Sequence, residues 1–160
     1  MFGCCSPKPY LLLCFALILA CAPVVAQTLT DSTPASERSL FANSFAAEKL
    51  WYWQHRLNLM DWEISVIIAR ATDLKPKTLG NIHWDTDKKT AVIRVLDPAD
   101  YHISVSDMLD DMEFTVVHEL IHLELAPALN QVARNEASRR EEEHAVNHMA
   151  DALLKLRRNK

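Results

Sequence analysis

Apolar and polar positions change rhythm several times along this chain. Tyr10 to Ala22 is apolar almost without interruption, yet too short for a comfortable membrane span, which needs about 20 residues. Residues 27–39 are rich in Thr, Ser and Pro with no apolar period, the pattern of a flexible linker. From Leu40 the spacing turns helical: Leu40, Phe41, Phe45, Leu50, Trp51, Trp53 and Leu57 predict a helix ending near Asn58, with both tryptophans in the core. The β-branched run Trp62 to Ala69 predicts a strand. Leu79 to Trp84 and Thr90 to Leu96 flank a polar turn at 85–89 and predict a hairpin, with Gly80 easing the backbone where its first strand begins. Ser106 then offers an N-cap, and Asp107, Asp110 and Asp111 place negative charge in the first turns of a helix. That helix is apolar on nearly every side, hence buried, and is expected to stop at Pro127. A polar connection at 130–140 leads to a last helix, Ser138 to Leu156, with Val146, Met149, Ala150, Leu153, Leu154 and Leu156 as its stripe. The fold class is α+β: an N-terminal helix, a small three-stranded sheet and two further helices in one domain, 40–160.

Composition sharpens this picture at the N-terminus. Lys8 precedes the apolar run, and Val24-Val25-Ala26 supplies the small residues that a signal peptidase cuts after. Residues 1–26 therefore read as a secretory signal, and the protein as exported, secreted or periplasmic. Ile18-Leu19-Ala20-Cys21 also resembles a lipoprotein box, which would end the signal at residue 20 and anchor the chain by a lipid on Cys21. All four cysteines fall in this leader, so a chain cut after Ala26 would have neither a disulfide framework nor a thiol site. Losing Lys8 leaves sixteen basic against twenty-one acidic residues, a balance that argues against a nucleic-acid partner. The sequence holds two glycines, Gly3 and Gly80, so no glycine-rich phosphate cradle exists and nucleotide chemistry is excluded.

The chemistry lies in the buried helix. Val117-His118-Glu119-Leu120-Ile121-His122-Leu123 reads H-E-x-x-H. Histidines four apart stand one above the other on a helix, the separation at which two imidazoles share one zinc ion. Glu119 lies next to that face, placed to take a proton from metal-bound water. Two histidines and a glutamate in an apolar helix are costly unless something pairs them, and a metal does so. A catalytic zinc site usually has a third protein ligand, sought here in Glu141-Glu142-Glu143. On the last helix Glu142 lies about 35° from the centre of the apolar stripe and Glu143 about 65°. Glu141, His144 and His148 point the other way.

With these residues the chain resembles the gluzincin metallopeptidases, in particular the small single-domain minigluzincins. The H-E-x-x-H motif and the step Glu143-His144-Ala145-Val146-Asn147 carry the resemblance. It implies a zincin-like fold with one Zn2+ per chain held by His118, His122 and Glu143. Asn147, standing where the family has an acidic residue, would brace a zinc histidine from behind. Geometry alone favours Glu142 as third ligand, the resemblance Glu143, and Glu143 is the one expected. The implied activity is endopeptidase cleavage of a peptide or protein, with Glu119 as general base. The substrate would lie extended along the sheet's edge strand, expected at Ala91 to Val95. The alternative is an exported, zinc-bound but catalytically inactive binding or scaffold protein.

Overall fold

A computed structural model describes residues 34–129 and 133–159. The expected secretory signal (1–26), the expected lipid-anchor residue Cys21 and residues 27–33 of the expected linker lie outside those residues. Helix α1 spans Ala35–Arg56 and begins before the expected Leu40, so residues 35–39 belong to the helix and not to the linker. Pro34 starts it: its fixed φ suits a helix entrance, and its carbonyl accepts the Arg38 N–H at 3.0 Å. The first turn carries no apolar residue except Ala35, so hydrophobic periodicity could not register it. The buried stripe is Ala42, Ala46, Leu50 and Trp53. Trp51, expected in the core, is 64 % exposed, and Leu40 is exposed as well.

Strands β1 (Glu63–Ala69), β2 (Gly80–Asp85) and β3 (Thr90–Leu96) form one sheet in the order β1-β3-β2. β2 and β3 make the expected antiparallel hairpin, while β1 joins β3 in parallel. β3 is therefore the central strand, which corrects the expectation that Ala91 to Val95 form an edge. The physical reason is burial: Ala91, Ile93 and Val95 are almost wholly covered, whereas β2, Gly80-Asn81-Ile82-His83-Trp84-Asp85, has the polar composition tolerated at an edge. Gly80 also serves another purpose than relief of a bend. A Cβ there would lie 2.4 Å from Thr115 Cγ2 and 2.5 Å from the Arg94 carbonyl oxygen. Its lack of a side chain is what lets β2 approach the next helix.

Helix α2 spans Val105–Leu129. Ser104, not Ser106, caps it: its hydroxyl accepts the Asp107 N–H at 3.2 Å. The helix runs through Pro127, which falls in the final turn, where the chief loss is its own absent N–H. Helix α3 spans Glu136–Arg158. It starts ahead of Ser138, because Asn135 and Ser138 satisfy one another's backbone in a capping box. Of the expected α3 stripe, Val146, Ala150 and Leu154 are buried, while Met149 and Leu156 are exposed.

Helices α1 and α2 pack on the sheet, and α3 packs on α2. Met108, Met112, Val116, Val117 and Leu120 of α2 are fully buried between them. One buried acid ties the three helices: Glu113 of α2 accepts from Trp53 Nε1 of α1 at 2.7 Å and from Arg157 Nη2 of α3 at 2.5 Å. No helix among the described residues is long and apolar enough to cross a membrane.

Candidate metal centre

Helical spacing puts His118 and His122 one turn apart on α2, and the two Nε2 atoms face each other at 3.0 Å. α3 crosses opposite and brings Glu143 to both: Oε2 lies 3.4 Å from His118 Nε2, and Oε1 lies 3.5 Å from His122 Nε2. All three ligand atoms fall within 4.8 Å of one another, so His118, His122 and Glu143 form a group able to hold one metal ion.

Glu142, the other candidate, stands behind His122 rather than in front of it. His122 Nδ1 donates to Glu142 Oε1 at 3.0 Å. A carboxylate can only accept, so Nδ1 carries the proton and Nε2 keeps its lone pair for the shared centre. The Glu142 side chain is only 9 % exposed, and its other oxygen accepts from Arg134 Nη2. Adjacent residues thus do different work: Glu143 completes the group, and Glu142 fixes the orientation of one member.

Asn147, expected as the brace, lines the same cleft. Its side chain favours the charged form of His118, but it forms no hydrogen bond of ordinary length and angle with that ring. His118 Nδ1 is buried without a partner among the described residues. The bracing found in the structure is therefore on His122, by Glu142. Burial foremost, and then the neighbouring His122, hold His118 below the usual imidazole range. That keeps it neutral, the form that ligates a metal.

Glu119 is buried on the adjoining side of α2. Burial, followed by the negative charge of Glu143, pushes its carboxyl up to about 7, against the opposing pull of Lys75. A carboxyl poised there can both take and return a proton near neutrality. It borders a cleft of about 440 Å³ walled by Gly80, Ile82 and Trp84 of β2, by Phe114 and His118 of α2, and by α3. The strand beside the centre is thus β2, an edge strand. His144 and His148 lie side by side, tilted to one another with ring centroids 4.1 Å apart, on the outer face of α3, away from the cleft, as their helical phase predicted.

Arg134 and Lys75 were not found from the sequence. Both sit in irregular connections, where no periodicity reports which way a side chain points. Comparison with protein-family models, curated proteins and solved structures returned no match, so the functional reading rests on the residues themselves.

Proposed function

We propose that this protein is a zinc-dependent endopeptidase, exported by its leader, that hydrolyses peptide bonds with Glu119 as general base. One observation supports it above the rest: two imidazole nitrogens and a carboxylate converge on one point beside a buried carboxyl, in a cleft bounded by an unpaired strand edge. The donor set fits zinc. Two histidines and one glutamate are a common catalytic combination that leaves a position open, and their ligand atoms all lie within 4.8 Å of one another. Zinc, when bound, supplies Lewis acidity and an acidified water.

The chain's own residues do the rest. The free backbone groups of β2 hold an extended peptide by strand addition, which lays its carbonyl beside the His118, His122 and Glu143 group. Glu119 accepts the proton of the attacking water and returns it to the leaving amine. Glu142 keeps His122 in the ligating tautomer throughout.

The second reading is a zinc-bound binding or scaffold protein without catalysis. It draws on the cleft lining, where no tyrosine and no third histidine among the described residues is placed to donate to an oxyanion. Elemental analysis of the purified chain, with cleavage of a peptide library, separates the two. One zinc per chain with cleavage is expected. Glu119→Gln should keep the metal and lower kcat/KM by at least about a hundredfold, whereas His122→Ala should lose both. Stoichiometric zinc with no peptide cut would establish the second reading, and a chain that binds no metal would end both.

A further inference from the structure

The turn that feeds β2 is built in an unusual way. Lys75-Pro76-Lys77-Thr78 closes with the Thr78 N–H on the Lys75 carbonyl at 3.2 Å, and the Thr78 hydroxyl donates to the same oxygen at 2.8 Å. Pro76 sets the first central position, as in a type II turn. The second central position, which such a turn normally gives to glycine, holds Lys77 at φ 64°. A β-carbon in the left-handed region is disfavoured, so local backbone energetics do not explain a lysine here.

Lys75 and Lys77 are both exposed on the wall of the same cleft, and neither makes an ion pair among the described residues. The third cation lining the cleft, Arg134, is engaged by Glu142. The acids of the cleft, Glu119, Glu142 and Glu143, belong to or adjoin the metal centre. Two unneutralised positive charges on a doubly tied turn therefore stand at the entrance to β2, in a chain whose net charge is −4.

We propose that Lys75 and Lys77 form a carboxylate-binding subsite, so that the peptides taken into the cleft are acidic on one side of the bond presented to Glu119. A peptide paired along β2 must pass this turn as it leaves the strand. There the ammonium groups of Lys75 and Lys77 hold an acidic group at the rim of the cleft. Such charge complementarity discriminates mainly by rejecting the wrong partner. The subsite presupposes the peptide cleft proposed above, and its test begins with binding so that the two can fail separately.

The test uses the zinc-loaded chain carrying Glu119→Gln, which prevents turnover, and labelled peptides read by fluorescence anisotropy. The peptides are identical except for an Asp, Ala or Lys moved through each position, with a free or an amidated C-terminus. Over one block of adjacent positions, Asp should bind about tenfold tighter than Lys, and salt on the order of 0.5 M should shrink that ratio. K75E/K77E should invert it. Lys77→Gly, which suits the backbone, should melt no lower than the parent and still lose part of the selectivity, an outcome a purely structural lysine would not give. A preference that vanishes on amidation supports the subsite and assigns it to a chain-terminal carboxylate. Acid-selective binding to a chain that never cleaves keeps the subsite and removes the peptidase. Absence of peptide binding, or a ratio that K75E/K77E leaves unchanged, overturns the subsite.

Discussion

At the scale of single residues, Glu119 and Gly80 show how position changes what a side chain does. In the metal-free protein Glu119 holds its proton to about pH 7, against an ordinary value of 4.5 in the unfolded chain. Between those values the folded state binds more protons than the unfolded one. The contribution of Glu119 to stability therefore falls as pH rises from 4.5 through about 7. Glu119→Gln carries no charge at any pH, so at pH 8 the metal-free variant should melt about 5 °C above the metal-free wild type. Near pH 4 the difference should close, and calorimetry in chelator at both pH values checks this. Gly80→Ala brings a Cβ against Thr115 and the Arg94 carbonyl, and should cost about 1–3 kcal/mol in urea denaturation. Thr115→Ser removes the methyl but not the backbone clash, so the double variant should recover only part of that loss.

At the scale of elements, the centre depends on how α2 meets α3. α2 supplies both histidines and α3 both glutamates, and the connection between them contributes Arg134, which grips Glu142 behind His122. Partners of this kind tune metal affinity by about 10- to 100-fold. Arg134→Ala should weaken zinc binding by that order in competition with a chromogenic chelator. The metal-free melting temperature should stay within about 3 °C, because Arg134 lies at the surface and away from the core. A large fall in metal-free stability with unchanged affinity would make Arg134 a structural residue only.

At the scale of the molecule, two ties fasten the helices, one at each side of α2. Glu113 joins α1, α2 and α3 through Trp53 and Arg157, and the His118, His122 and Glu143 group, able to hold a metal ion, brings α2 and α3 together again. Glu113→Ala leaves the Trp53 N–H and a half-buried guanidinium without their acceptor, and should cost about 3 kcal/mol by denaturant titration. A metal that binds only the folded state stabilises it by mass action, by about 2.7 kcal/mol at a hundredfold excess over Kd. Chelation should accordingly lower the melting temperature of the wild type and leave that of His122→Ala unmoved.

The H-E-x-x-H pair was legible in the sequence because a helix fixes the relation of residues four apart before any tertiary contact forms. The α+β class, the hairpin and the outward phase of His144 and His148 follow from local periodicity in the same way. The order β1-β3-β2, the separate duties of Glu142 and Glu143, and the presence of Arg134 and Lys75 at the cleft were decided only by the fold. Each depends on where one element lies against another distant in sequence, and periodicity along a chain carries no information about that distance.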